Sequence, residues 1–168
     1  SSAAARRSLH GIGFFVQDHV VIDENWSTVM GARWDRYSNA GPAKTYRVTS
    51  RYSLDESGTS FHGSVGTGFR APAINELFDP SIGNIELKPE RSFGWELGVE
   101  QPLADDDLVV DVTYFRNDID DLVVFRFDGT GVWGGHLDNG DSALTAGVET
   151  TASLRLSELT TATVGYTS

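Results

Sequence analysis

A chain of 168 residues with 13 basic against 24 acidic side chains, a formal net charge of −11, cannot neutralise a phosphate backbone, which excludes generic nucleic-acid binding. The lack of cysteine removes disulfide scaffolds, thiolate metal centres and cysteine nucleophiles. Hydrophobic residues make up 39% of the chain, but no apolar run reaches the roughly 18 residues of a membrane-spanning helix, and Ser1-Ser2-Ala3-Ala4-Ala5-Arg6-Arg7 has no apolar core behind it of the kind a signal peptide carries.

Taken in chain order, the predicted elements are strands. The first covers 11–22. In the second, 26–37, Met30, Ala32 and Trp34 oppose Gly31, Arg33 and Asp35. A third covers 44–54. The fourth, 60–70, places Phe61, Gly63, Val65, Thr67 and Phe69 on one side and Ser60, His62, Ser64, Gly66, Gly68 and Arg70 on the other. The fifth, 91–103, alternates Phe93, Trp95, Leu97 and Val99 with Ser92, Gly94, Glu96, Gly98 and Glu100. The sixth is expected over 108–127, the seventh over 144–156 with Val148, Ala152, Leu154 and Leu156 together, and the eighth over 159–167. A period of two is the mark of a strand with one apolar and one polar face.

These strands are long. Globular strands average about 5–6 residues, whereas a tilted membrane-spanning strand needs about 9–11. Short polar turns at 23–25, 55–59, 104–107 and 157–158 alternate with longer connections expected at 38–43, 71–90 and 128–143. That rhythm matches an outer-membrane barrel with short periplasmic turns and longer outer loops, so the first strand is expected to run toward the periplasm. Trp26, Trp34, Tyr37, Tyr52, Phe61, Phe69 and Phe93 cluster near strand ends, as interfacial girdles do. The fold class is therefore all-β, a transmembrane antiparallel up-and-down β-barrel. A small closed outer-membrane β-barrel of eight strands, or a soluble β-sandwich with a structural or binding role, is the alternative. Inner faces that include Gly31, Gly63, Gly66, Gly94, Gly98 and Gly147 cannot fill a lumen, which argues for a wider barrel and a longer chain.

An ordered series of motifs narrows this. Gly66-Thr67-Gly68-Phe69-Arg70-Ala71-Pro72 is followed by Asn75-Glu76-Leu77, then by Gly83-Asn84-Ile85-Glu86-Leu87-Lys88-Pro89-Glu90-Arg91-Ser92 and Trp95-Glu96-Leu97-Gly98. Tyr114-Phe115-Arg116-Asn117-Asp118-Ile119-Asp120-Asp121-Leu122, Asn139 and Gly147-Val148-Glu149 complete it. The series resembles the C-terminal half of the barrel of TonB-dependent outer-membrane receptors. The resemblance implies about eight strands of a plugged barrel of about 22, set in outer-membrane lipid of a Gram-negative envelope. It implies uptake of a scarce nutrient ligand, such as a ferric siderophore or cobalamin, energised by the TonB–ExbB–ExbD system through a plug domain. With no plug or TonB box upstream, the chain reads as an internal fragment of such a barrel domain.

Several motif residues have expected structural roles. Pro72 cannot donate to a ladder and biases Ala71 to extended geometry, ending the strand before a single helical turn at 74–78. Lys88-Pro89-Glu90 re-enters the next strand in the same way. Arg70, Glu90 and Glu96 are expected to form rim or lumen ion pairs.

Catalysis is not expected. His10, His19, His62 and His136 have no helical metal spacing, and His62 and Ser64, two apart on one strand, do not make a hydrolase triad. No cofactor motif is present. Asp118, Asp120 and Asp121, with Asp138 and Asp141, are oxygen donors of a density that calcium uses, although solvated loop acids are the favoured reading. Arg126, Trp133 and His136, around the 131–135 segment, are candidate ligand contacts on an outer loop.

Overall fold

The computed structural model describes residues 8–129, 133–140 and 142–168. Alternating polarity yields long strands joined in chain order: β1 (Gly11–Val21), β2 (Trp26–Tyr37), β3 (Gly41–Ser53), β4 (Ser60–Arg70), β5 (Glu90–Leu103) and β6 (Leu108–Asp120). A five-residue helix, α1 (Ile74–Phe78), lies between β4 and β5. After β6 come β7 (Val123–Phe127), β8 (Gly135–Asn139), β9 (Ser142–Ser157) and β10 (Thr160–Thr167). The main sheet has eight antiparallel strands in the order β1-β2-β3-β4-β5-β6-β9-β10, while β7 and β8 pair only with each other. The sheet does not close: β1 and β10 are its edges.

Register turns the sequence parity into two continuous faces. Trp26 faces Tyr52, Met30 faces Val48, and Val48 faces Val65. Val65 then faces Trp95, and Leu97 faces Tyr114, which faces Val148. This apolar side is open: Leu97 is 63% exposed and Phe14 64%. Among the described residues the buried apolar side chains are Ala43, Leu77 and Leu87, and no large side chain is fully enclosed. A sandwich would place Phe93, Leu97 and Val99 in a dry interior between layers; here all three are exposed on a single layer, so that alternative fails. The closed eight-stranded barrel fails with it, because the sheet ends in two free edges. Two aromatic groups bound the apolar band. Trp26 meets Tyr52 edge-to-face at 6.4 Å near the short turns, and Phe14 stacks on Trp34 at 6.1 Å near the other end. Trp26 and Trp34 stand about 27 Å apart along β2 at about 3.4 Å per residue, the scale of an outward apolar band in a tilted barrel strand.

Four expectations need correction. The connection at 38–43 is not long: Tyr37 pairs directly with Gly41, leaving a turn of residues 38–40. Gly41 adopts φ +70°, which suits this tight reversal. The sixth strand does not run through 108–127. It stops at Asp120, the chain turns at Asp121 with φ +56°, and Val123–Phe127 leaves the sheet to pair with Gly135–Asn139 inside the expected loop. Asp tolerates this left-handed conformation better than most residues, and beyond the turn the apolar residues Val123, Phe125 and Phe127 resume on the opposite parity to Val112 and Tyr114. Gly63 does not line the polar side: it faces Leu97 on the apolar side, where a Cβ would meet Leu97 Cδ2 at 2.7 Å. Tyr37, read as part of an apolar girdle, has the parity of Asp35 and lies over Gly11, while its ring still stacks on Phe69 of that group.

Candidate functional site

Arg70 closes β4 and Glu90 opens β5, and the two are cross-strand partners at the mouth of the 71–89 connection. Arg70 Nε donates to Glu90 Oε2 at 2.6 Å and its Nη2 to Oε1 at 2.5 Å, a bidentate pair. The remaining Nη1 reaches both oxygens of Glu76 at 3.0 Å. Glu76 in turn accepts the Ala73 N–H at 2.7 Å, securing the start of α1. Glu90 Oε1 also accepts the Val123 N–H at 2.9 Å, so the same carboxylate holds the first residue of β7. The pair stands at the loop end of its strands, Arg70 the last residue of β4 and Glu90 the first of β5. Hydrogen bonding to the Arg70 guanidinium holds the Glu90 carboxyl below its ordinary range, against the upward push of partial burial.

The expected ionic group is thus half right. Arg70 and Glu90 meet, but Glu96 lies elsewhere on β5, opposite Ser64. Its Oε1 accepts Ser64 Oγ–H at 2.8 Å and lies 3.5 Å from Arg47 Nη2. Glu76, expected only as a motif residue, is the second carboxylate of Arg70 instead.

The connection has a small core of its own. Leu77 and Leu87 are 5% and 6% exposed. The Asn84 N–H donates to the Glu76 carbonyl at 2.9 Å, and Asn84 Oδ1 accepts the Glu86 N–H at 2.9 Å. Asn75 gives its carbonyl to the Asp79 N–H, which ends α1, and the Pro72 carbonyl accepts Asn39 Nδ2–H at 2.9 Å. Pro89 precedes Glu90, where β5 begins. Phe69 stacks on Tyr37 at 5.5 Å, and Gly68 leaves room for Ser92, whose Oγ a Cβ would approach to 2.4 Å.

Asn139, the last residue of β8, ties the two long connections together. Its Oδ1 accepts the Lys88 N–H at 2.8 Å, while Nδ2 donates to the Lys88 carbonyl at 3.0 Å and the Asp121 carbonyl at 2.6 Å. The Leu137 N–H adds a bond to the Ile82 carbonyl at 2.7 Å. Replacing Asn139 with Ala strands three backbone groups, a local loss of about 2 kcal/mol. The expected result is faster protease nicking within 71–89 at an unchanged thermal midpoint of the strands; unchanged nicking would show that Leu77 and Leu87 suffice.

On the β7–β8 hairpin, Arg126 and His136 are cross-strand neighbours. Arg126 Nε lies 2.9 Å from Asp138 Oδ2, and His136 Nδ1 lies 3.1 Å from Asp128 Oδ2. Trp133 is 69% exposed. Asp118 is held bidentately by Arg116 at 2.9 Å, and Asp121 spends its carbonyl on Asn139. Asp120 faces Arg91 across β5, and Asp141 lies outside the described residues. Among the described residues no three acidic or histidine side chains gather as a cation site.

The polar side of the sheet is a charged wall. Arg51 Nη2 lies 2.5 Å from Glu100 Oε1 and 2.9 Å from Ser60 Oγ. His62 Nε2 lies 2.7 Å from Asp111, which also accepts the Thr113 hydroxyl at 2.8 Å. Gly66 faces Gly94 directly, and without side chains they floor a recess of about 430 Å³ bordered by Arg47, Glu96, Asn117 and Glu149. Gly98 is buried under His62 and Thr113, each within 2.4 Å of where a Cβ would stand, and the Phe115 ring covers Gly147. Glu149 accepts the Thr167 hydroxyl at 3.3 Å. Arg47, Arg51, Glu100 and Asp111 were not singled out from sequence; charges of opposite sign at polar parity on adjacent strands were the available signal.

The family model for the TonB-dependent receptor-like β-barrel matches residues 1–168. An iron-regulated outer membrane virulence protein of Vibrio cholerae is 30% identical over 172 residues, covering 91% of this chain and 26% of that protein. A vitamin B12 transporter, BtuB, of Vibrio vulnificus is 41% identical over 71 residues, covering 42% of this chain and 11% of its own length. The siderophore receptor PirA of Pseudomonas aeruginosa shares the fold, with a TM-score of 0.81 at 22% identity over 95% of this chain and 34% of that one. The chain thus spans between a tenth and about a third of the proteins it matches. An open sheet with one lipid-compatible face and one charged face is what a segment of a wide barrel wall requires, and with the match along its whole length the chain belongs to the outer-membrane family of TonB-dependent receptor β-barrels.

Proposed function

We propose that residues 1–168 form eight neighbouring strands of a TonB-dependent receptor that takes up a scarce nutrient, a ferric siderophore or cobalamin, across the outer membrane. The observation that carries the reading is the separation of faces on one unclosed sheet: hydrocarbon on one side, paired charges and glycine recesses on the other. Every backbone group in a bilayer must be paired, so β1 and β10 meet further strands of the same barrel. The polar wall encloses a plug domain, through which the TonB–ExbB–ExbD system supplies energy. The 71–89 connection and the β7–β8 hairpin face outward, with Arg126, Trp133 and His136 placed to touch ligand. Relatives named for vitamin B12 transport and for siderophore reception support the two ligand classes.

The test is complementation. A host lacking its own receptors, expressing the full-length gene, is grown with iron supplied as single ferric siderophores or with cobalamin as the limiting nutrient. Growth restored by one of these, and abolished by deleting TonB, is expected. A folded, outer-membrane-inserted barrel that restores growth on none of them overturns the uptake reading.

A further inference from the structure

The first groups a ligand meets are those of the two long connections, and their charge is lopsided. Between β4 and β5, residues 71–89 hold Glu76, Asp79 and Glu86 against Lys88. Between β6 and β9, residues 121–141 hold Asp121, Asp128, Asp138 and Asp141 against Arg126. The guanidiniums at this end are already engaged. Arg126 lies 2.9 Å from Asp138, Arg70 is shared by Glu76 and Glu90, and Arg33 on the polar side of β2 holds Asp35 bidentately at 2.6 Å. His136, too, lies 3.1 Å from Asp128. Among the described residues, Lys88 is the one cation of these connections with no carboxylate within 4 Å. Arg36 and Lys44 have the parity of Trp34, and Arg91 that of Phe93, so these three belong to the outer side of the wall rather than to its mouth.

Beside these paired charges the same connections expose apolar side chains. Ile85 is 73%, Phe127 80% and Trp133 69% exposed. Phe127 meets Phe125 edge-to-face at 4.8 Å on one face of the β7–β8 hairpin, while Arg126, His136 and Asp138 have the other parity. An anionic ligand is best held by a free guanidinium acting bidentately, and like charges brought together at a binding surface oppose association. A ligand with an apolar periphery and no negative charge meets neither obstacle. Metal chelates divide on this point by their donors. Three hydroxamates, one negative charge each, neutralise a ferric ion; three catecholates, two each, leave three negative charges over.

We propose that the receptor's ligand is a metal chelate with no net negative charge, as a ferric tris-hydroxamate or a corrinoid is, with Ile85, Phe127 and Trp133 against its apolar periphery. The proposal rests on the uptake reading above and narrows it, because ferric siderophores as a class include trianions. The carboxylates act before contact. Charge at exposed sites reaches about 8 Å at physiological ionic strength, so the mouth repels a polyanion and slows its arrival. At contact, gripping an anion would require Arg126 to leave Asp138 Oδ2, while the other oxygen of Asp138 accepts the Asn139 N–H at 2.9 Å.

The test measures binding of four probes to the purified full-length receptor: ferrioxamine B, a cationic tris-hydroxamate; ferrichrome, a neutral one; cyanocobalamin, also neutral; and ferric enterobactin, a trianionic tris-catecholate. The best of the first three is expected to bind about tenfold or more tighter than ferric enterobactin. Raising the salt concentration is expected to speed association of the trianion and to leave the rate of a neutral probe unchanged. Asp138→Asn keeps an acceptor for the Asn139 N–H and frees Arg126. It is expected to tighten enterobactin binding about 3–10-fold, with the neutral probe held within about twofold. Phe127→Ala/Trp133→Ala is expected to weaken the neutral probe about tenfold; an unchanged affinity there overturns the apolar contact. Should Asp138→Asn fail to fold, the salt dependence of the wild type carries the comparison. Enterobactin bound as tightly as the best of the other three, or more tightly, overturns the proposal and leaves uptake standing. Binding of no probe by a folded, heat-modifiable receptor overturns the uptake reading, and this inference with it.

Discussion

Arginine in place of Leu97 is expected to cost the folded barrel about 2–4 kcal/mol, the range for a cation on the lipid side of a barrel strand near mid-bilayer. Leu97 lies in the middle of β5, on the apolar side, between Gly63 of β4 and Tyr114 of β6. It is 63% exposed, so in water the same change would be nearly silent. Its size therefore reports the solvent that this face meets. The control is Thr151→Arg on the polar side of β9, opposite Asp111, where a new cation finds a carboxylate. That variant is expected to remain within about 1 kcal/mol of wild type. Reversible guanidinium unfolding of the full barrel in lipid vesicles reads both. A small effect at Leu97 together with a large one at Thr151 would mean that the faces have been assigned backwards.

The second large effect is expected at Arg70. Alanine there leaves Glu76 and Glu90, whose side chains are 18% and 13% exposed, without their cation. Breaking a fully buried pair costs about 3–5 kcal/mol and a surface pair at most about 1. Arg70 is itself 44% exposed, which places the loss near 2 kcal/mol, concentrated in the 71–89 connection and the start of β7. Hydrogen exchange at the Val123 amide and proteolysis within 71–89 should both accelerate. The pH dependence has a definite sign. The folded-state pKa of Glu90 is lowered, so the stabilisation it brings is complete above its unfolded pKa and is lost as pH falls through the folded value. Wild-type protection of Val123 should therefore decline below about pH 4, whereas Arg70→Ala should show little further change there. Equal exchange rates in the two proteins at pH 7 would remove the cluster from any role in holding the rim.

Which parts of this were legible in the sequence follows from how far each signal reaches. The faces of β2, β4, β5 and β9 were legible because period-two polarity is local and a membrane allows no compromise on it. The helical turn at 74–78 was legible because Pro72 forbids ladder continuation before it. The hairpin of β7 and β8 was not, because Val123–Phe127 is again an apolar alternating run and the break before it depends on one Asp at positive φ; the one signal was that Val123, Phe125 and Phe127 have the parity of Asp111 and Thr113 rather than of Val112 and Tyr114. Glu96 was assigned to the wrong arginine for a different reason. Parity says which face a charge occupies, but only register says which partner it meets, and Glu96 sits opposite Ser64 rather than Arg70. Asn139 was named by the motif series, but its contacts had no local signal, since its three bonds go to two residues far off along the chain, Lys88 twice and Asp121 once.

Strand order also determines how the chain can assemble. Each strand of the main sheet pairs with its predecessor in sequence except β9, which must find β6 across 21 intervening residues; β5 does pair with its predecessor, but must find β4 across 19. Closing a loop costs only about 0.6 kcal/mol more for each doubling of its length, so neither search is prohibitive. Pairing of β7 with β8 shortens the first still further, since the hairpin brings Leu122 and Gly140 within one hydrogen bond of 2.5 Å before β9 has docked. Contacts between neighbours in sequence favour rapid folding, and the wall can grow by zippering, one hairpin at a time. In this role the excursion at the rim is a splice that keeps the growing edge in step.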